Sequence, residues 1–272
     1  MIIGDYHTHT TYCDGANTPE EMLLSAIEKG LKYYGFSSHS HLSYDEDWNM
    51  THSAQEEYVT EILSLKEKYK DKITVLLGTE YDLLSDNDLS PFDYVIGSCH
   101  SLLADDNYIS VDHSEKTFVE CVQNFYGGDY YFFAEEYYKM MSSAADRKEF
   151  TFYGHFDLVN KFNKGFKFFD ETDPRYVKPM LEALEKLAKT GVPFEINTKQ
   201  TFRHSASEPS CSAVCWLTAL SEMGGKIVIN SDAHSCDVIG YNFSLAAETA
   251  KRCGFKSRLV LTDDGFEEVL LK

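Results

Sequence analysis

Short runs rich in β-branched and aromatic residues alternate along this chain with longer stretches in which apolar residues recur at helical spacing. The runs predict strands at 2–6, 33–38, 73–79, 94–99, 150–154, 192–196 and 226–231, with a weaker eighth at 258–262. The stretches between them carry start signals. Thr18-Pro19-Glu20-Glu21 reads as a capping box: a hydroxyl cap, proline at the first helical position, and a glutamate closing the turn. Leu23, Ala26, Ile27 and Gly30 then form its expected inward face, and Tyr58, Ile62, Leu65 and Tyr69 repeat the period in the next helix. Asp173-Pro174 opens another, with Val177, Leu181, Leu184 and Ala188 facing in. Within 129–146, Tyr130, Phe133, Ala134, Tyr137, Tyr138 and Met141 share one stripe, which predicts packing against a sheet and no cofactor.

Strand-then-helix order with short connections predicts a parallel sheet with right-handed crossovers. Seven or eight such units favour a closed α/β barrel over an open doubly wound sheet. No linker composition, low-complexity tract or fixed-period repeat interrupts the chain, so residues 1–272 are expected to form a single domain. A hydrophobic fraction of 43% excludes intrinsic disorder. The net charge of −19 argues against a broad nucleic-acid surface or an anionic membrane surface as partner. No apolar run approaches the ~20 residues of a membrane span. The opening MIIGDYHTHT lacks a signal peptide's basic start. Cysteines 13, 99, 121, 211, 215, 236 and 253 form an odd, scattered set without CxxC, which predicts reduced thiols and a cytoplasmic protein. Cys211 and Cys215 could share a helix face, and core packing is expected there in preference to zinc.

The histidines and acids change the picture. His7 and His9 end the first predicted strand, with Asp14 just beyond; His39 and His41 follow the second. Glu80 ends the third, His100 the fourth, His155 the fifth, Glu195 the sixth, and Asp232 with His234 the seventh. In a parallel barrel those C-terminal ends share one rim, where such enzymes place their chemistry. Side chains alternate along an extended segment, so His7/His9 and Asp232/His234 each point one way, and two such pairs facing across a barrel can hold an ion. His7, His9, Asp14, His39, Glu80, His100, His155, Asp232 and His234 exceed the needs of one tetrahedral zinc. Two or three divalent transition-metal ions bridged by a carboxylate fit this set, and imidazole plus carboxylate suits Zn, Mn or Fe. His52, His113 and His204 read as ordinary hydrogen-bonded residues, and Asp5 as a group that orients a neighbour.

Asp5-x-His7-x-His9, Gly35-Phe36-Ser37-Ser38-His39, Gly78-Thr79-Glu80, Gly97-Ser98-Cys99-His100, Gly154-His155-Phe156-Asp157 and Ser231-Asp232-Ala233-His234 resemble the motif series of the polymerase and histidinol phosphatase (PHP) superfamily. Within it the chain is similar to the monofunctional histidinol-phosphatases of bacterial histidine biosynthesis. The resemblance spans essentially the whole chain. It implies a single distorted (β/α)7 barrel, TIM-like, with a trinuclear metal site at the C-terminal rim of the strands, so 258–262 need not be a barrel strand. It assigns His7, His9, Glu80 and Asp232 to one ion, lets Glu80 bridge to a second held by His100 and His155, and gives Asp14, His39 and His234 the third. Two departures are visible. Ser38 stands where many relatives carry an acid before the histidine, and Asp14 where some carry His or Glu.

Such a cluster suits hydrolysis of a phosphate monoester by in-line attack of a metal-bridging hydroxide, without a covalent phosphoenzyme. Neither a DxDxT-like nor a Cys-x5-Arg nucleophile motif is present. The expected reaction, that of a histidinol-phosphatase, converts L-histidinol phosphate into L-histidinol and phosphate. Glu80, His41 and Arg203 are the expected catalytic residues, with His41 as phosphate donor or proton source. His41, Lys161, Asn197 and Arg203 are the expected substrate contacts, and Lys199 lies on the same rim. For the substrate ammonium, Asp45, Glu46, Asp47, the 104–113 loop and Glu195 stand in suitable positions. Another PHP phosphoesterase, acting on nucleotides or oligonucleotide ends, is the alternative, and the negative charge speaks against it. An amidohydrolase would need a strand-end lysine, and a non-catalytic barrel would have lost ligands. No self-complementary pattern indicates an oligomeric state.

Overall fold

The computed structural model describes residues 3–44 and 48–271, so Asp45, Glu46 and Asp47 lie outside the described residues. Its strands are β1 (Gly4–Asp5), β2 (Tyr33–Phe36), β3 (Thr74–Asp82), β4 (Tyr94–Ser98), β5 (Ser101–Ala104), β6 (Asn107–Ser110), β7 (Phe152–Tyr153), β8 (Phe194–Asn197), β9 (Ile227–Asn230), β10 (Ser257–Thr262) and β11 (Gly265–Leu270). The helices are α1 (Pro19–Glu28), α2 (His52–Lys68), α3 (Glu115–Phe125), α4 (Tyr130–Ser143), α5 (Pro174–Ala188), α6 (Thr198–Thr201), α7 (Cys211–Glu222) and α8 (Phe243–Arg252).

Strands β1, β2, β3, β4, β7, β8 and β9 pair in that order, all parallel. A parallel bridge between Thr8 and Ala233 brings the segments after β1 and β9 together and nearly closes the sheet into the expected seven-stranded barrel. His9 N donates to Ala233 O at 2.8 Å, and Ala233 N to His7 O at 3.0 Å. The barrel is distorted at one step: residues 83–93, between β3 and β4, contain no helix.

The interior is filled from Tyr6, Leu76, Tyr94, Ile96, Phe152 and Val228. Space for the Tyr94 ring comes from the neighbouring strands, because a Cβ at Gly35 or Gly78 would lie 2.4 or 2.2 Å from its atoms. The Tyr94 hydroxyl reaches Tyr6 O at 2.6 Å and Phe36 O at 2.9 Å, tying the wall together from inside. The weak eighth run is β10, which pairs antiparallel with β11. It inserts Leu259, Val260 and Leu261 into the same interior cluster. This hairpin closes the end opposite the histidines.

The β5–β6 hairpin was not legible beforehand. Its turn residues Asp105 and Asp106 both have positive φ, 50° and 61°, as a type I′ turn requires. Aspartate tolerates that region without announcing it as Asn-Gly would.

Helix α1 carries the expected capping box and buries Met22, Leu23 and Ala26. Gly30 is not on its inward face; it lies past the helix end at φ 76°, where it lets the chain turn. In α5 the buried set is Tyr176, Met180, Ala183, Leu184 and Leu187, so the inward stripe is rotated from the expected one. Tyr176 sets that rotation: its hydroxyl meets Tyr138 and Ser212 at 2.8 and 2.9 Å, and its ring stacks on Phe169. The α4 stripe buries Phe133, Ala134, Tyr137, Tyr138 and Met141 as expected. All seven cysteines are free thiols, and Cys211 is exposed, contrary to the core role expected for it. Among the described residues no helix is long and apolar enough to cross a membrane.

Candidate metal and phosphate site

The Thr8–Ala233 bridge dictates the first part of the site. Thr8 turns to donate from Oγ1 to Gly35 O at 2.8 Å, and Ala233 packs among apolar residues. Alternation then sends His7 and His9 to the opposite side, and Asp232, in the left-handed region at φ 56°, and His234 meet His9 there. The two pairs therefore stand side by side on adjoining segments, not across the barrel from one another. A second bridge, His39 with Glu80, adds the ends of β2 and β3.

Glu80 is the hub, 1% exposed. Its Oε2 faces His7 Nε2 at 3.1 Å, His9 Nε2 at 3.4 Å and His39 Nδ1 at 3.0 Å. Its Oε1 faces His155 Nε2 at 2.8 Å and His100 Nε2 at 3.3 Å. Asp14 lies 3.5 Å from His39 Nε2 and 3.0 Å from His234 Nε2. Asp232 lies 3.4 Å from His9 Nε2 and 3.2 Å from His234 Nδ1. Among the described residues the ligand atoms converge in four overlapping groups: His9, Asp14, His39 and His234; His7, Glu80 and His155; His7, His9 and Asp232; His39, Glu80 and His100. Those groups contain the nine residues singled out from the sequence and no others.

His155 Nε2 and Glu80 Oε1 form a hydrogen bond, but the atoms at the centre of the cluster do not. Nε2 of His7, Nε2 of His9 and Oε2 of Glu80 are buried, and none has a hydrogen-bond partner among the described residues. Buried polar atoms left this way are rare and costly unless something else satisfies them. Burial opposes ionisation of Glu80, yet the His7, His100 and His39 imidazoles hold its carboxyl well below the usual range. Asp232 is likewise held low, against burial, by Lys199 and His7. Burial, His234 and His39 push His9 well below its ordinary value, towards the neutral imidazole a metal needs. Cys13 sits 3.5 Å from His9 Nδ1, but burial raises its thiol to about 11, so the donor set is nitrogen and oxygen.

Behind the cluster stands a supporting layer. Asp5 accepts from Ser231 N, Ser231 Oγ and Gly240 N, pinning the turn that presents Asp232 in the left-handed region at φ 56°. Burial, opposed by those donors, pushes the Asp5 carboxyl up to about 6. Glu195 accepts from His7 Nδ1 at 2.8 Å, His155 N at 3.0 Å, Asn230 Nδ2 at 2.9 Å and Asn197 Nδ2 at 3.1 Å. Its carboxylate is thereby committed to orienting ligands and has no capacity left for a substrate ammonium. Asp82, overlooked in the sequence, accepts from His100 N at 2.7 Å and lies 3.3 Å from His100 Nδ1. Its signal was available, since it stands two residues past Glu80 on the same strand face.

Above the cluster lies a cleft of about 210 Å³, whose further lining includes Trp48, Asp112, His113, Lys161, Lys199 and Arg203. Trp48 places its ring edge-on to His39, centroids 4.6 Å apart. Arg203 lines the cleft as expected, with Nε donating to Gln200 Oε1 at 2.9 Å. Lys199 Nζ lies 3.3 Å from Asp232 Oδ1. Lys161 lines it too, but its ammonium is docked on Asp112, 2.6 Å from the carbonyl and 2.8 Å from Oδ2. Two expected substrate contacts stand elsewhere. Asn197 is 2% exposed and gives its amide to Glu195 and to Asp232 Oδ2, so it orients carboxylates. His41 is not part of the cleft lining; its Nδ1 lies 3.2 Å from Met50 O and its ring 4.1 Å from that of His52. His113, read as an ordinary histidine, does line the cleft, because the β5–β6 hairpin folds it over the rim.

Known proteins share this arrangement of chain. The probable histidinol-phosphatase of Deinococcus radiodurans is 29% identical over 92% of this chain and 93% of its own length. The histidinol-phosphatase of Bacillus subtilis is 26% identical over 90% of this chain and 98% of its own. The solved structure of histidinol phosphate phosphatase from Lactococcus lactis, complexed with zinc, L-histidinol and phosphate, matches in fold. Its TM-score is 0.68 at 22% identity, covering 97% of this chain and 98% of that one. The family model described as the PHP domain matches residues 5–199, which carry His7, His9, Asp14, His39, Glu80, His100 and His155. With most of its length under that match, this chain belongs to the PHP domain family.

Proposed function

We propose that this chain is a metal-dependent phosphate monoester hydrolase that converts L-histidinol phosphate into L-histidinol and phosphate. The observation that carries the reading is Glu80, with both carboxylate oxygens facing five imidazole nitrogens at 2.8–3.4 Å. Buried ligand atoms without hydrogen-bond partners, all nitrogen or oxygen, fit divalent transition metals. The near full-length likeness to proteins named histidinol-phosphatase supports the substrate.

The nine residues would hold two or three ions of Zn, Mn or Fe, with Glu80 shared between sites. When bound, such ions supply a hydroxide nucleophile near neutral pH and neutralise phosphoryl oxygens. This chain's own part is orientation and charge. Glu195 and Asp82 fix the ring positions of His7 and His100. Arg203, held at Nε by Gln200, keeps its terminal N–H groups for the phosphoryl oxygens in a bidentate grip. Lys199 adds positive charge beside Asp232. The pocket thus accepts an anion although the chain carries −19 overall. We assign the function to one domain, 1–272, working in the cytoplasm on a small-molecule phosphate ester.

Purified protein loaded with zinc or manganese, assayed on histidinol phosphate, mononucleotides and 4-nitrophenyl phosphate, tests this. Strong preference for histidinol phosphate is expected. Equal low activity on all three would sink the substrate assignment and leave a general phosphoesterase.

A further inference from the structure

The carboxylates that line the cleft fall into two kinds. Asp14, Glu80 and Asp232 belong to the convergent groups, whereas Asp112 belongs to none. Its position is fixed by short local bonds: Val111 N donates to His100 O at 2.8 Å, and His113 N to Ser110 Oγ at 3.2 Å. Asp112 therefore stands beside the end of β4, next to the cluster. Lys161 takes its carbonyl and its Oδ2, and no hydrogen bond among the described residues takes Oδ1. Burial opposes its charge, but Lys161, His100 and His155 keep the carboxylate ionised. Arg203 lines the same cleft, so guanidinium and carboxylate border one space.

We infer that Asp112 receives the ammonium of an amino-alkyl phosphate and so makes this cleft selective for esters that carry one. The inference rests on the reading of the site as a histidinol phosphate hydrolase. In that ester the ammonium sits on the carbon next to the esterified one. With the phosphoryl group between the cluster and Arg203, the ammonium must find its counter-charge close by. Among the described residues, Asp112 is the cleft carboxylate that lies outside the convergent groups. Lys161 already shows the kind of group it accepts. A charge-assisted bond to Oδ1 in a confined cleft discriminates against a ligand lacking the donor, because Lys161 satisfies only Oδ2 and Oδ1 is then left without a partner.

The test compares zinc-loaded wild type and Asp112→Asn on histidinol phosphate and on 3-(imidazol-4-yl)propyl phosphate, which lacks only the amine. Wild type should favour histidinol phosphate by roughly 10- to 100-fold in kcat/KM, the worth of one buried charge-assisted hydrogen bond. Asp112→Asn should lose at least ten times more kcat/KM on histidinol phosphate than on the deamino ester. Equal losses on both would mean that Asp112 only anchors Lys161 or the loop, and would overturn the inference. Equal wild-type rates on both esters would overturn it as well. Wild type that hydrolyses 4-nitrophenyl phosphate but neither imidazole ester would instead overturn the substrate reading, and this inference with it.

Discussion

Glu195 accepts a hydrogen bond from Nδ1 of His7 at 2.8 Å, while the other ring nitrogen of His7 stands 3.1 Å from Glu80 Oε2. A carboxylate behind an imidazole fixes its tautomer and raises its basicity as a ligand, and losing it typically weakens metal binding about 10- to 100-fold. Glu195→Gln should therefore weaken zinc affinity by that factor in a competition titration. A metal-free thermal melt reports any loss of fold separately. Wild-type affinity in the variant would refute the role.

Glu80→Gln removes the charge that faces five imidazoles. Turnover should vanish and zinc content per chain should fall, with the circular dichroism spectrum retained. Full activity would refute Glu80 as the shared ligand.

Arg203→Lys keeps the charge but not the planar fork. We expect kcat/KM on histidinol phosphate to fall roughly 10- to 100-fold and inhibition by inorganic phosphate to weaken in parallel. Unchanged phosphate inhibition would remove Arg203 from the anion site.

Inside the barrel, Gly78→Ala places a methyl group 2.2 Å from the Tyr94 ring, so the ring or the strand must move. Overpacking of this kind costs about 1–3 kcal/mol, and Tyr94→Phe, which loses the bonds to Tyr6 O and Phe36 O, about 1–2 kcal/mol. Urea denaturation measures both. Stability equal to wild type in Gly78→Ala would mean that the interior tolerates the group.

Glu171, 3% exposed, accepts from Ser212 N at 2.9 Å and Asn163 Nδ2 at 3.1 Å, and burial raises its carboxyl above 4.5. The folded state then holds this proton more tightly than the unfolded one. Its contribution is fully present below pH 4.5 and is lost as pH rises through the folded value. Glu171→Gln should flatten that segment of the Tm–pH curve. Parallel curves for the two proteins would contradict the assignment.

The reach of the linear sequence can be judged from particular residues. His7/His9 were legible because strand alternation is local: a period of two puts the pair on one face whatever the partner strand. Asp232/His234 reach the same cluster although Asp232 leaves the extended backbone at φ 56°. The barrel followed from the order of runs, and its rim from the parallel direction. Asp82 belonged to the same local logic and was overlooked. Asn197 and His41 stood at strand ends like true cleft residues, yet Asn197 turned to two carboxylates and His41 to a backbone carbonyl. Position along a strand does not say which hydrogen bond wins.

By itself, then, the sequence determined the alternation of strand and helix, the rim of imidazoles and carboxylates, and membership in a motif series. Only the tertiary structure decided that the His-x-His and Asp-x-His pairs lie side by side, because closure depends on the Thr8–Ala233 bridge between segments far apart in the chain. It alone placed the 258–262 run in a separate hairpin with β11, whose Leu259, Val260 and Leu261 join the barrel's interior cluster. It alone brought Asp112 and His113 over the cleft, through a hairpin whose aspartate turn leaves little trace in composition. Local periodicity is written residue by residue, whereas contacts across the barrel depend on how distant segments share space.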